Sequence, residues 1–400
     1  MTDEASALAA ILAALPPPVP ESVPVASCAS RFSLVDLHAS LPLPGFDNSV
    51  MDGYALHTDD CLRPGITLTI SGEQPAGPDL GLSVSPGHAI RIFTGAPLPR
   101  NTAAVIMQED VSASHDGRSI TINDPASPGE FIRRTGADLC KGQLIASKGQ
   151  LLSSAHAGVL ASQGLASITC GRQPSVAIIC NGSELAEPGT PLPAPGTLYN
   201  SNGPMLAALV AASRTASSIV SSLAGDDAVS LTNTIRSHLD SSDALIIAGG
   251  MSVGDHDLVK PTLAALGIPA SFWRVRIKPG KPFLFGITPS GIPVFGLPGN
   301  PVSAYVTASL FVLPALRRLA GAAQPEAPKF HATAAHQLHN PGDRPHWLRG
   351  SFNPSSGKFS AAGLQESHAL ASLARANALV RLEPNSSLAP GDPLAVLPML

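Results

Sequence analysis

Ala244-Leu245-Ile246-Ile247-Ala248-Gly249-Gly250-Met251-Ser252-Val253-Gly254 is a short apolar run that breaks into glycines. Five apolar residues bounded by a glycine turn read as a strand buried on both faces. Its neighbours repeat the pattern. An apolar run at 176–180 leads into Asn181-Gly182-Ser183-Glu184, and residues 293–296 lead into Leu297-Pro298-Gly299-Asn300-Pro301. Further strands are expected at 218–221 and 272–277. Helical spacing fills 202–213, 226–239, 257–266 and 302–319. Strand, loop and helix in alternation predict parallel strands with crossover helices, a doubly wound α/β domain over 173–322. In such a sheet ligands bind at the carboxyl ends of the strands, where these loops lie.

Outward from this centre the texture changes. Residues 41–138 hold short β-type runs at 66–70, 89–93, 103–107 and 119–122 among turn residues, and read as a small β domain. Residues 323–400 read as a second β module. Residues 1–40 and 139–172 are expected to be largely helical. Leu8, Ile11, Leu12 and Leu15 share one side of a first helix, and Leu151, Leu152, Ala155 and Val159 one side of another.

Composition narrows the function. The chain has 400 residues, 36 Gly and 39 Pro, so turns and short elements dominate. A net charge of −4 and 4% aromatic residues exclude a global cationic field or a base-stacking platform, so no nucleic-acid partner is expected. The five cysteines are widely spaced without a C-x-x-C, which predicts reduced thiols and a cytoplasmic protein. Asp3 and Glu4 precede the first apolar run, unlike a secretory signal. No stretch is expected to span a membrane.

Three groups of residues could carry chemistry. Arg274, Arg276 and Lys278 alternate with Trp273, Val275 and Ile277, which puts the cations on one strand face, and Lys281 follows Pro279-Gly280. Two lysines across a rigid turn suit phosphate or another oxyanion. An edge strand with solvated cations is the plainer alternative. Glu184, Asp226, Asp227, Asp255 and Asp257 all fall in loops after strands of one sheet. Convergent carboxylates would suit Mg²⁺, whereas helix capping explains any one of them alone. The glycine loops at 249–250 and 299 could admit an anion, although neither matches a nucleotide-binding fingerprint.

These segments also carry a family resemblance. Leu43-Pro44-Gly45-Phe46-Asp47-Asn48-Ser49-Val50-Met51-Asp52-Gly53-Tyr54-Ala55 resembles a signature of the MoeA/gephyrin family of molybdopterin molybdenumtransferases. So do Arg91-Ile92-Phe93-Thr94-Gly95-Ala96-Pro97, Arg134-Thr135-Gly136-Ala137-Asp138, Lys278-Pro279-Gly280-Lys281-Pro282 and Gly296-Leu297-Pro298-Gly299-Asn300-Pro301-Val302-Ser303-Ala304. The resemblance implies four parts: an elongated helical part, a small β domain, a molybdopterin-binding α/β domain and a C-terminal β-barrel-like domain. It implies an enzyme that takes adenylated molybdopterin and molybdate, with Mg²⁺ or another divalent cation, and releases AMP. It also implies a homodimer, in which Asp52, Thr94 and Asp138 reach the partner's cleft. Transient contacts with a molybdopterin adenylyltransferase and with acceptor molybdoenzymes follow from the same role.

By the same resemblance Glu184 and Asp257, with Asp227 (or Asp226), would organise the metal and the phosphates. Lys278 and Lys281 would hold the anionic substrate, and Arg344 would contact molybdate. Pro298, Asn300, Pro301 and Ser303 would shape the loop under the pterin. The chain departs from the family pattern at Asn181 and at Gln365-Glu366-Ser367-His368, where two glycines are usual. Two other functions stay open: a molybdopterin carrier or scaffold without turnover, and a molybdopterin adenylyltransferase. The motifs around Asp52 and Thr94 speak against the latter, which needs only the α/β domain.

Overall fold

The computed structural model describes residues 1–61, 63–251 and 258–400. They form two compact units: Met1–Val35 with Ser147–Ala161 and Leu165–Leu400, and Asp36–Ala146 with Ser162–Gly164.

In the first unit, the six-stranded sheet is built on Ser175–Asn181, whose residues from Val176 onward are all buried. In spatial order the strands are Ser218–Ala224, Ser175–Asn181, Ala244–Ala248, Pro293–Leu297, Pro282–Ile287 and Ala270–Arg274. The first four are parallel. Pro282–Ile287 runs opposite to the others and pairs antiparallel with both its neighbours, which corrects the all-parallel expectation. The cause is local: Pro279-Gly280 reverses the chain between Ala270–Arg274 and Pro282–Ile287, so no crossover helix intervenes. Gly280 sits at φ +107, and a Cβ there would come 2.5 Å from Thr307 Cγ2, so this turn needs glycine.

One face of the sheet buries Phe283, Phe285 and Phe295 against Phe311, with the Phe283 and Phe311 ring centroids 4.7 Å apart. The helical run Pro301–Leu319 lies on this face. It passes through a π-helical stretch at Ala308–Val312. By length and composition alone it could cross a membrane, yet 83% of its apolar window is buried inside the fold. That burial is what a core helix shows.

The helix Glu4–Ala14 closes the same core with Ala7 and Ile11, capped by Asp3, whose Oδ1 accepts from Ser6 N at 2.9 Å. Leu8 and Leu15 pack beside them. The second N-terminal helix runs over Ser154–Ser162 and buries Leu160. Leu151 was expected on its inner side but is 53% exposed. It precedes the helix and bridges to Phe32 in extended conformation, so the helical period does not reach it. A strand the sequence reading missed, Pro20–Pro24, pairs antiparallel with Ser167–Gly171.

The C-terminal module closes into a five-stranded barrel from Phe330–Ala334, Lys358–Ala361, His346–Asn353, Ala378–Leu382 and Pro393–Pro398. In the second unit, six strands order as Ala104–Met107, Gly53–Leu56, His88–Ile92, Thr67–Gln74, Ser119–Ile122 and Val111–Ala113. The cysteines carry no disulfide; Cys28, Cys61, Cys170 and Cys180 are buried and Cys140 is exposed. Burial pushes the Cys180 thiol up to about 11.

Candidate functional site

Each parallel strand ends in residues that open onto one cleft of about 750 Å³. Asn181, Asp226, the Gly249-Gly250-Met251 turn and Pro298-Gly299-Asn300-Pro301 all line it, as do Glu184 and Asn202. This is the edge where an open α/β sheet binds ligands. The floor is made of close backbone contacts. A Cβ on Gly249 would sit 2.3 Å from the Asn181 carbonyl oxygen, and one on Gly299 would sit 3.6 Å from Gly249 Cα. Gly249 also holds φ +98, so only glycine fits.

The carboxylates divide into two roles. Asp226 faces the cleft and accepts from Asn181 Nδ2 at 2.8 Å and from Ser183 N at 2.9 Å. Asp227 caps the helix Ala228–Leu239 instead, accepting from Ser230 N at 2.7 Å, and does not line the cleft. Capping therefore explains Asp227, and Asp226 is the one of the two that lines the cleft. The Glu184 carboxylate lies over Gly182, where a Cβ would come 2.6 Å from Oε2. Asp255 and Asp257 lie outside the described residues. Among the described residues, no three His, Cys, Asp or Glu side chains come together as a metal-binding group.

Two buried amides add acceptors that sequence reasoning missed. Asn181 and Asn202 are 3% and 8% exposed, and the Oδ1 atom of each is buried without a hydrogen-bond partner. Their Nδ2 atoms donate to Asp226 Oδ1 and to Gly299 O, at 2.8 and 2.7 Å. Flipping either amide would set oxygen against oxygen, so the orientation is fixed. A buried acceptor left open is costly unless a ligand donor, ion or water meets it.

The cations gather at the border between the sheet and the barrel. Val275 and Ile277 are fully buried while Arg276 is exposed, as the period-two reading expects. Arg274 departs from the cation row: its guanidinium stacks on Trp273, 3.8 Å from the ring centroid. Lys278 N donates to Pro345 O at 2.8 Å and Trp347 N donates to Lys278 O at 2.7 Å. Arg344 Nη1 donates to Ile277 O at 3.1 Å. Lys278 and Arg344 are thereby brought into one neighbourhood, with Lys281 exposed three residues on and Pro282 on the cleft wall. Among the described residues no carboxylate pairs with either lysine. His346 is buried beside them, and burial, aided by Lys278, Arg349 and Arg344, pushes its imidazole down to about 4.

The barrel also reaches the cleft through the segment that departs from the family pattern. Asn300 Nδ2 donates to Ser367 Oγ at 2.9 Å, Val302 N donates to Ser367 O at 3.1 Å, and His368 lines the cleft. Ser303 is buried, and its carbonyl accepts from Thr307 Oγ1 at 2.7 Å within the helix Pro301–Thr307. It does not line the cleft.

In the second unit, Asp52 and Thr94 meet directly, and Asp138 is exposed without a hydrogen bond to either. A second carboxylate there, Asp47, accepts from Thr135 N and Oγ1 and from Arg134 Nη1 at 2.7, 2.8 and 2.7 Å. The Thr135 backbone bond, reinforced by Arg134, holds Asp47 below the usual carboxylate range.

The family model for the MoeA N-terminal region (domain I and II) matches residues 3–164. One for a probable molybdopterin binding domain matches 177–318, and one for the MoeA C-terminal region (domain IV) matches 331–399. The chain belongs to the MoeA family. Its similarity to named MoeA-family relatives runs nearly end to end. It is 35% identical over 359 residues to a molybdopterin molybdenumtransferase of Haemophilus influenzae, covering 89% of this chain and 87% of that protein. It is 34% identical over 370 residues to molybdopterin molybdenumtransferase 2 of Mycobacterium tuberculosis, covering 90% of each. A crystal structure of a molybdopterin biosynthesis MoeA protein from Pyrococcus horikoshii superimposes with a TM-score of 0.84 at 27% identity, covering 99% of both chains.

Proposed function

We propose that this chain is a molybdopterin molybdenumtransferase, which takes adenylated molybdopterin and molybdate and releases AMP. The observation that carries the reading is one cleft where carboxylates, open amide acceptors and a glycine floor meet at the strand ends; Pro282 on its wall follows Lys281, and Lys278 and Arg344 lie in one neighbourhood beyond its lining. Cations there suit the phosphates and the molybdate oxyanion. Asn181 and Asn202 present acceptors to N–H or O–H groups of the substrate.

The donor set also fits Mg²⁺. Glu184 and Asp226 are hard oxygen ligands beside the unpartnered Oδ1 of Asn181, the donor type that Mg²⁺ takes in preference to nitrogen and sulfur. Bound there, the ion would supply charge neutralisation for the phosphates as AMP leaves. The cytoplasm is the proposed compartment, in keeping with five unpaired cysteines. A homodimer is proposed in which Asp52, Thr94 and Asp138 complete the partner's cleft. Transient contact with a molybdopterin adenylyltransferase and with acceptor molybdoenzymes would deliver the substrate and take up the product.

The test is purified protein with adenylated molybdopterin, Mg²⁺ and molybdate, followed for AMP and for molybdenum-loaded cofactor. Both products are expected. Binding without AMP release would make the protein a carrier, and consumption of ATP with unadenylated molybdopterin would make it an adenylyltransferase.

A further inference from the structure

A second cavity, of about 560 Å³, lies in the first unit and shares no lining residue with the cleft. Its wall holds three cations, Lys148, Arg214 and Arg317, and one acid, Glu326. Among the described residues neither Arg214 nor Arg317 pairs with a carboxylate. Arg317 is partly buried, and its one hydrogen bond runs from Nη1 to Pro325 O at 3.3 Å. A guanidinium taken out of water without a counter-charge is unfavourable, and burial accordingly lowers its proton affinity.

Arg214 carries an independent sign. It follows the cap of helix Asn202–Ala212 and adopts φ +54, a left-handed conformation that favours glycine or asparagine. An arginine at that position places its guanidinium on the cavity wall despite the backbone preference. Helix dipoles account for positive charge near the ends of Asn202–Ala212 and Leu313–Leu319. They do not account for exposed Arg214 and half-buried Arg317 sharing one open cavity wall with no carboxylate paired to either. The remaining wall is partly apolar, with Phe32, Pro328 and the exposed Leu151.

We infer that this cavity is a second anion site, which takes a small organic monophosphate: the phosphate lies between Arg214 and Arg317, and the body lies against Phe32 and Leu151. A volume of this size fits such a molecule. The inference does not depend on the function of the cleft.

The experiment labels arginines with phenylglyoxal and reads each site by peptide mass spectrometry, with adenosine monophosphate or inorganic phosphate as the protecting probe. Adenosine monophosphate is expected to slow labelling of Arg214 and Arg317 together by roughly tenfold, as for loss or gain of a charge-assisted contact. Exposed Arg100, in the other unit, should be unaffected. R317Q should remove the protection at Arg214; if that variant fails to fold, R214Q read at Arg317 serves equally. K281Q, on the cleft border, should leave the protection intact. No protection by either probe would overturn the inference, as would protection that survives R317Q or that K281Q abolishes.

Discussion

Asp52 accepts two hydrogen bonds from Thr94 through the same oxygen, Oδ1: one from the backbone N–H and one from the hydroxyl, both at 2.7 Å. The backbone bond, followed by the hydroxyl and the charge of Arg91, holds Asp52 below the usual carboxylate range. The pair is thus an ionised, fixed acceptor on a unit separate from the cleft. D52N is expected to lower kcat by about 10²-fold, in line with loss of a preorganised charge. If two chains build each site, co-expressing D52N with K281Q should restore about a quarter of wild-type activity, through mixed dimers that keep one intact site. No recovery in verified mixed dimers would sink the shared site.

Gly53, next to Asp52, has a structural reason for its place in the same motif. A Cβ there would come 1.8 Å from the Ile106 carbonyl oxygen, across the pairing of Gly53–Leu56 with Ala104–Met107. Gly53→Ala should destabilise the protein by about 3 kcal/mol, because the neighbour is backbone and cannot yield. Thermal melting checks this; an unchanged Tm would mean the two strands are free to part.

The two adjacent aspartates should separate cleanly. D226N is expected to raise the Mg²⁺ concentration needed for AMP release, as is E184Q. D227N should leave that requirement unchanged and cost little stability, because asparagine caps a helix about as well as aspartate. If D227N shifts the Mg²⁺ requirement and D226N does not, the assignment is reversed.

His346 should make the fold acid-sensitive. Its imidazole titrates near 4 in the folded chain against 6.5 unfolded. Between those values the unfolded chain binds a proton that the folded chain does not. Its contribution is therefore complete above pH 6.5 and is lost as pH falls toward 4, by up to about 3 kcal/mol. Urea melts from pH 7 to 4.5 should show the loss, and H346Q should flatten it. An equal slope in both proteins would assign the sensitivity elsewhere.

Much of this was legible in the sequence wherever local signals and burial coincide. Ala244–Ala248 appears with the expected bounds because five apolar residues end at two glycines. Ser119–Ile122 does so through simple alternation. The antiparallel edge was hidden because Pro282–Ile287 follows a Pro-Gly turn that spacing alone reads as a loop. Pro20–Pro24 was hidden because prolines mask a strand whose partner lies far along the chain. Of the acids expected to converge, Glu184 and Asp226 line the cleft among the described residues, and spacing cannot tell a cap from a cleft residue at Asp226-Asp227. Asn181 stood out only as a departure from the family pattern and Asn202 not at all, because an unmet acceptor is a property of packing, not of residue type.

The Glu4 carboxylate accepts from Trp347 Nε1 at 3.2 Å and from Arg381 Nε at 3.0 Å, so the first helix is tied to strands made 343 residues and more after it. On the ribosome that helix must wait, its apolar side uncovered, until those distant strands have emerged. The sheet carrying Asp52, contiguous within Asp36–Ala146, is under no such delay. Nascent chains stalled before residue 340 should therefore recruit holdase chaperones to their amino-terminal end, and a bulky fusion there would prolong that exposure.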